Sequence, residues 1–451
     1  MTLELADSRS RSDKKDLDQI PGDTGWPVVG HTLQLLHDYR GLQKRMYAAY
    51  GPVHKIRVLG DVRVSLLGPE ANELVLMDRE QNFSSKLGWR SLETLLQGAL
   101  MLRDFDEHRA HRKVLAPAFK PSTLADYLEA MQPIMAARLE QWRTAPPPLF
   151  FPAVKELLLE VSMHVFLGED NARDIAKIKD AFITVVNATV SLIRAPIPGL
   201  PYDRGLKARR VLLDYIKANI ASRRKGQGKD IFTRLCQATD DEGRHWSDDE
   251  IAQHMVFVMG AAHDTTTSSI CTLVWSLVST PSWQDRLRDE CSAINNATGF
   301  LHYEDLDRMP LSEYCFKEAL RLYPPVVTIN RCALRAFTFK GHTIPARTML
   351  ALSPAFTHTM PEIWTAPQTF DPMRFAPDRA EDKRHRFAWV PFGGGAHQCI
   401  GLNFAYIQAK SFLRQLLPRF QLSLPPGYRA DLAMLPIPRH KDGLPLILKP
   451  L

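Results

Sequence analysis

Residues Phe392 to Gly401 read FGGGAHQCIG, and the stretch behind them, LNFAYIQAKSFLRQLL, repeats apolar residues at helical spacing. The glycines free the backbone to turn tightly against a flat object, and Cys399 falls at or just before a helix N-terminus. Unpaired N–H groups and the positive end of the helix dipole favour a thiolate there. The spacing is neither a GxxxxGK phosphate loop nor a GxGxxG behind a strand. Taken alone, a cysteine beside glycines is most often structural.

Around this stretch the chain has 451 residues, 45% hydrophobic and 24% charged, ordinary globular usage that excludes disordered, collagen-like and disulfide-scaffold proteins. Length alone suggests about three domains. The net charge of +7 is a mild basic bias that selects no partner. Cys236, Cys271, Cys291, Cys315, Cys332 and Cys399 stand without CxxC spacing, which points to a reducing, cytoplasmic setting. The start, MTLELADSRSRSDKKDLDQ, lacks an apolar signal core, and no apolar run approaches the roughly 18 residues of a spanning helix. A soluble protein without an integral membrane anchor is expected.

Residues 1–19 read as a polar, frayed start, and IPGDTGWPVVGH (Ile20 to His31) as an extended surface segment. VHKIRVLG and VRVSLLG predict a hairpin around Gly60-Asp61. From about residue 70 to 330 the period is helical, with breaks expected at Pro117, Pro121, Pro133, Pro146 to Pro148, Pro196, Pro198 and Pro201. Phe182 to Gly205 reads either as a mobile lid between helices or as a packed connector. Short strands such as Leu334 to Ile344 follow, and a final helix near residues 400–417. The expected fold class is α+β, mainly α.

The spacing Phe392-x-x-Gly395-x-His397-x-Cys399-x-Gly401 resembles the haem-binding signature of the cytochrome P-450 superfamily, with every fixed position filled. The resemblance implies that Cys399 is the axial thiolate ligand of the iron in haem b. It further implies that Phe392 packs beside the sulfur, that backbone N–H groups towards Gly401 bond it, and that His397 reaches a haem propionate.

Three further stretches resemble family elements. Glu318 and Arg321, at i and i+3 before LYPP, would alone be a solvated pair worth under about 1 kcal/mol. In the family the pair is buried and joined by an arginine, here Arg374 of Pro372-Met373-Arg374-Phe375, with Met373 where glutamate is usual. MVFVMGAAHDTTTSS (Met255 to Ser269) resembles the oxygen-binding part of the family's central helix, with Ala262 in place of the usual glycine. By that likeness Thr265 assists oxygen and Asp264 relays protons; on residue pattern alone, a mid-helix Asp-Thr-Thr is a polar face or a run of backbone-bonded hydroxyls. In DEHRAHRKVLAPAF (Asp106 to Phe119), His108 and Arg112 share a helix face and are implied donors to the haem carboxylates, as is Arg331. A zinc site from His108 and His111 lacks a third ligand.

The implied pocket has Phe257, Gly260 and Ala261 on the central helix and Val326, Val327 and Ile329 opposite, with Leu435, Ile437 and the loop bearing Trp89, Leu92, Leu96 and Leu100 further out. Its apolar lining suits a lipophilic molecule. Because motifs from His108 to Cys399 must meet at one haem, a single catalytic domain over residues 20–451 replaces the three suggested by length. The resemblance implies a monomeric monooxygenase that uses O2 and two electrons from a ferredoxin or flavodoxin with its reductase, with no nucleic-acid partner. Arg109, Arg112 and Lys113 would help dock an acidic partner. Its reaction would be hydroxylation or epoxidation of a terpenoid, retinoid, steroid, fatty acid or polyketide-like molecule, and PGDTGWPVVGHTLQ and PRHKDGLPL look like the retinoid- and sterol-handling branch. A peroxide-driven peroxygenase, which usually replaces the acid–alcohol pair, and a non-catalytic haem sensor or carrier are the alternatives.

Overall fold

The helical period between residues 70 and 330 becomes, in a computed structural model, a stack of long helices joined to small sheets. The structure describes residues 17–168, 172–191, 193–294 and 299–451. The helices that position the site are α1 (Tyr39–Tyr50), α2 (Phe105–Leu115), α3 (Pro121–Thr144), α4 (Phe150–Ser162), α5 (Ala172–Thr189), α6 (Pro201–Lys225), α7 (Asp248–Ser279), α8 (Pro310–Leu322) and α9 (Leu402–Leu416). Residues 1–16 of the expected frayed start lie outside the described residues, and Leu17–Gln19 form one 3-10 turn.

α7 begins with a capping box: Ser247 Oγ accepts from Glu250 N while the Glu250 carboxylate accepts from Ser247 N. Its 32 residues span about 48 Å, and most are buried, so the helix crosses the main apolar core. Three of its buried hydroxyls are satisfied locally: Thr267, Thr272 and Ser276 each donate to the carbonyl four residues earlier, at 2.9, 2.9 and 2.7 Å, while Ser268 reaches out to Pro438 O at 2.6 Å.

Pro121 and Pro201 open α3 and α6, as their fixed φ and missing N–H allow. The break expected at Pro133 does not occur; α3 runs through it. Its other face buries Leu124, Tyr127, Leu128, Met131, Met135, Leu139 and Trp142, and that burial outweighs the ~3 kcal/mol that an interior proline costs. The lid-like segment resolves into the end of α5, a turn-rich passage over residues 193–200 and the start of α6. Arg194 ties that passage down, donating to Ser91 O at 2.6 Å.

Strands β1 (Val53–Val58), β2 (Asp61–Leu66), β3 (Phe83–Ser84), β4 (Ile329–Ala333) and, later in the chain, Met349–Leu352 form one sheet in the order β1, β2, Met349–Leu352, β4, β3. The hairpin register is one residue earlier than expected: Val58 pairs with Asp61, and Leu59-Gly60, both at positive φ, make the turn. Two positive-φ residues in a two-residue turn match the twist of the flanking strands. No helix among the described residues is long and apolar enough to cross a membrane.

Candidate haem-thiolate site

The Cys399 loop lies against the helix Pro69–Met77. Gly393 and Gly395 have φ of 68° and 62°, and a Cβ on Gly395 would collide with Leu76 O, so this approach requires glycine. Cys399 N donates to Phe392 O at 2.9 Å, and Gly401 caps α9 directly behind the cysteine. Phe392 sits between Trp389 and Tyr406, ring centroids 6.1 and 5.9 Å away. Five cysteines are buried thiols; Cys399 alone has open space against it, although it lies deep enough for desolvation to dominate its ionisation. Burial pushes the thiol up, and the Gly401 N–H and the Arg112 guanidinium offset only part of that. The helix-start N–H thus acts in the expected direction, towards the thiolate, but burial outweighs it.

Next to this loop four donors converge. The His108 and His397 rings lie 3.8 Å apart, and Arg112 Nη1 donates to Gln398 O at 2.6 Å. Arg331 is buried, and the one hydrogen bond its guanidinium makes among the described residues is to the neighbouring Asn330 O, at 2.8 Å. Burial lowers its guanidinium to about 10, with Asp104 and Asp78 opposing this from a distance. Burial, Arg112 and Arg331 bring His108 down to about 4; burial, Arg331, His108 and Arg112 bring His397 to about 2. A buried guanidinium with so few acceptors is anomalous for a folded protein. Two carboxylates would supply what the cluster lacks, and the cluster and the open sulfur together fit a haem.

His111, the other half of the rejected zinc pair, points elsewhere: Nδ1 is 2.9 Å from His254 Nε2. Among the described residues no three His, Cys, Asp or Glu side chains are grouped to hold a metal ion. Of the basic residues expected to meet a partner, Arg112 instead faces Gln398, while Arg109 and Lys113 are exposed but paired with Asp106 and Asp241 at 2.7 and 2.6 Å.

Beneath the loop, Glu318, Arg321 and Arg374 have no exposed side-chain surface. Arg321 grips Glu318 in fork geometry at 2.6 and 2.8 Å and donates to the carbonyls of His358, Pro367 and Thr369. Arg374 Nε reaches Glu318 at 3.0 Å, and Nη1 reaches Glu381 at 2.9 Å. Glu381 is a member that sequence reasoning missed, because it lies in an irregular segment with no motif. The network touches the loop through His358, whose Nε2 accepts from Val390 N at 2.8 Å.

On α7, Ala261 is exposed in mid-helix and a Cβ on Gly260 would meet nothing within 4 Å, so this flank borders open space. Thr265 Oγ1 donates to Ala261 O at 2.6 Å, the backbone-bonded state that the residue pattern allows. Asp264 is paired with Lys155 Nζ at 2.9 Å, and His263 Nδ1 lies 3.2 Å from the same oxygen. Burial pushes its carboxyl up, but His263 and Lys155 outweigh it and hold it at about 2. Lys155 lies in no motif, and the sequence marks His263 only by its place directly before Asp264.

The other pocket candidates separate. Val326 is 36% exposed and Phe257, Leu435 and Ile437 are half-buried, but Val327 is packed among Leu35, Tyr39, Leu42 and Met46, where its carbonyl accepts from Tyr39 Oη at 3.0 Å. Ile329 is in the sheet core with Val64 and Leu352. Val327 and Ile329 are thus core residues in this structure, because adjacent residues on an extended segment point to opposite sides.

A family model for cytochrome P-450 matches residues 20–437. A putative cytochrome P-450 136 of Mycobacterium tuberculosis is 37% identical, with 96% of this chain and 89% of the relative covered. A beta-amyrin 28-monooxygenase of Solanum lycopersicum is 28% identical over 95% of this chain and 92% of its own. The solved structure of retinoic acid bound cyanobacterial CYP120A1 is 31% identical and superposes with a TM-score of 0.87, covering 96% of this chain and 99% of the other.

Proposed function

The chain belongs to the cytochrome P-450 family and is a haem-dependent monooxygenase, and from that premise we propose that it hydroxylates or epoxidises a lipophilic isoprenoid, a terpenoid or retinoid, at a haem b whose iron is held by Cys399. The observation that carries this reading is the cluster of His108, Arg112, Arg331 and His397 beside the open Cys399 sulfur, donors without an anion. When bound, the haem supplies the activation of O2. Arg112, Arg331, His108 and His397 hold its carboxylates, and Phe392 and the Gly401 N–H shield and orient the sulfur. The network Glu318, Arg321, Arg374 and Glu381 keeps the loop rigid from below. Asp264 and Thr265 carry protons to the α7 face, and Phe257, Gly260, Ala261, Val326, Leu435 and Ile437 seat the substrate by burial.

The isoprenoid assignment is supported by the relative named for beta-amyrin oxidation and by the retinoic acid bound in CYP120A1. Electrons come in this reading from a separate ferredoxin or flavodoxin with its reductase, docking near exposed Arg109 and Lys113 on the outer side of α2. A monomer is part of the same reading, as is the cytoplasm, which agrees with six cysteines that form no disulfide.

Titrating the ferric protein with all-trans retinoic acid, beta-amyrin and palmitic acid tests the substrate class through displacement of the sixth-ligand water, seen as a Soret shift. An isoprenoid is expected to shift the band and the fatty acid is not; the reverse sinks the isoprenoid assignment. Product should form with NADPH and a surrogate ferredoxin system. Equal product with peroxide alone would make the protein a peroxygenase, and binding without product would make it a carrier.

A further inference from the structure

Between Ile251 and Ala261, four residues of α7 are not buried: Gln253, Phe257, Gly260 and Ala261. Spaced at i, i+4, i+7 and i+8, they fall within about 100° of the helix circumference and line one flank about 12 Å long. The end at Ala261 is apolar; the end at Gln253 is not. Gln253 borders a cavity of about 250 Å³ whose other walls include Lys86, Glu93 and Gln97, from the passage that precedes α2, and the paired Arg103 and Glu107. Gly98, at a φ of 80°, brings that passage against α7. A Cβ there would collide with Gln253 Oε1, so only glycine leaves room for the amide at the cavity wall. The passage is held from two sides, by Arg103 Nε donating to Gly98 O at 3.2 Å and by Arg209 of α6 donating to Leu95 O at 2.9 Å. The Gln253 side chain itself enters no hydrogen bond or ion pair among the described residues. The lining thus carries two cations, two anions and two amides. Its charges cancel, so an ionic ligand gains nothing net, and a carboxylate would meet Glu93. An amide both donates and accepts, as a hydroxyl does.

We propose that this cavity is a binding site for a neutral hydroxyl at the far end of the substrate, with Gln253 as the specificity-determining residue that pairs with it. The substrate is then a lipophilic alcohol whose hydroxyl lies about 12 Å from the carbon seated at Ala261, its apolar body lying along Phe257 and Gly260. This rests on the reading of the open α7 flank as the substrate side and adds to it which group the substrate carries and where. Gln97 and Glu93 supply further acceptors beside the amide, and the hydroxyl gives the half-buried Gln253 the partner that the protein does not.

Paired titrations of the full-length, haem-loaded protein test the site without turnover. All-trans retinol is compared with the hydrocarbon that lacks its hydroxyl, and hexadecanol with hexadecane, each Kd being read from the Soret shift and from quenching of tryptophan fluorescence. In at least one pair the alcohol is expected to bind about 3- to 10-fold more tightly than its hydrocarbon, the range of one hydrogen bond. Gln253→Leu should abolish that preference while leaving the Kd of the hydrocarbon within about twofold. If Gln253→Leu fails to fold, Gln253→Met reads the same change. Retinoic acid should bind more weakly than retinol, and Glu93→Gln should narrow that gap by removing the charge that opposes a carboxylate. Alcohol and hydrocarbon bound equally in both pairs would make the cavity a solvent recess; that overturns the hydroxyl site and leaves the lipophilic substrate reading intact. A preference for the alcohol that persists in Gln253→Leu overturns the role of Gln253. Retinoic acid bound more tightly than retinol overturns the choice of a neutral group. Absence of binding by any of these ligands, in both readouts, overturns the hydroxyl site together with the reading it rests on.

Discussion

Two arginine-rich clusters adjoin the Cys399 loop and differ in how completely the protein satisfies them. In the network of Glu318, Arg321, Arg374 and Glu381, Arg321 uses all five of its N–H donors, on one carboxylate and three carbonyls. In the cluster of His108, Arg112, Arg331 and His397, an equally buried Arg331 has one backbone partner among the described residues. The first cluster is complete in the protein alone, so it contributes to the fold beneath the loop. The second is complete only with an anionic group in place, so it contributes to holding that group. A buried arginine is thus read by its acceptors, not by its depth.

The comparison can be broken at several points. Cys399→Ser has the largest expected effect: the red-shifted band of the reduced carbon-monoxide complex, given by a thiolate ligand, should vanish, and its persistence would remove Cys399 from the iron. Glu318→Gln leaves two guanidinium groups buried against a neutral amide, and the protein should lose about 3–5 kcal/mol in urea unfolding whether or not haem is bound. Arg331→Met should behave oppositely. The haem-free protein should unfold at the same urea concentration or a higher one, while transfer of haem to apomyoglobin quickens by about 10- to 100-fold, as expected for lost charge-assisted bonds. Loss of apoprotein stability as large as that of Glu318→Gln would erase the distinction between the clusters.

The smallest effect concerns acid. Asp264 has a carboxyl lowered from 3.8 to about 2 in the folded protein, so its contribution is fully present above about pH 4 and is lost as pH falls towards 2. Asp264→Asn should therefore remove at most ~2 kcal/mol at neutral pH and flatten the stability profile over that acid window. An unaltered profile would mean that the pairs with Lys155 and His263 carry no net free energy.

Much of this was legible in the order of residues. The glycines around Cys399, the i, i+3 pair Glu318 and Arg321, and the Asp264-Thr265 pair each announce a local backbone or side-chain requirement, and local requirements are written in local sequence. The mainly helical class followed from periodicity in the same way. Where long-range packing competes with local preference, the sequence was a poorer guide. Pro133 stays inside a helix because its far face is buried, and Val327 and Ile329 turn into the core because neighbouring elements fill that side. Glu381, Lys155 and His263 enter their clusters from distant or unmarked positions, and no spacing rule links Lys155 to Asp264.

The sequence by itself determined which groups could do the chemistry: one thiol at a helix start, an acid beside an alcohol, and arginines at the right intervals. Only the tertiary structure decided their states. Burial raises the Cys399 thiol against the helix terminus, two partners hold the Asp264 carboxylate ionised against burial, and Arg331 is left short of acceptors where Arg321 is not. The physical reason is that desolvation and pairing depend on what surrounds a group in space, and those surroundings come from segments hundreds of residues apart in the chain.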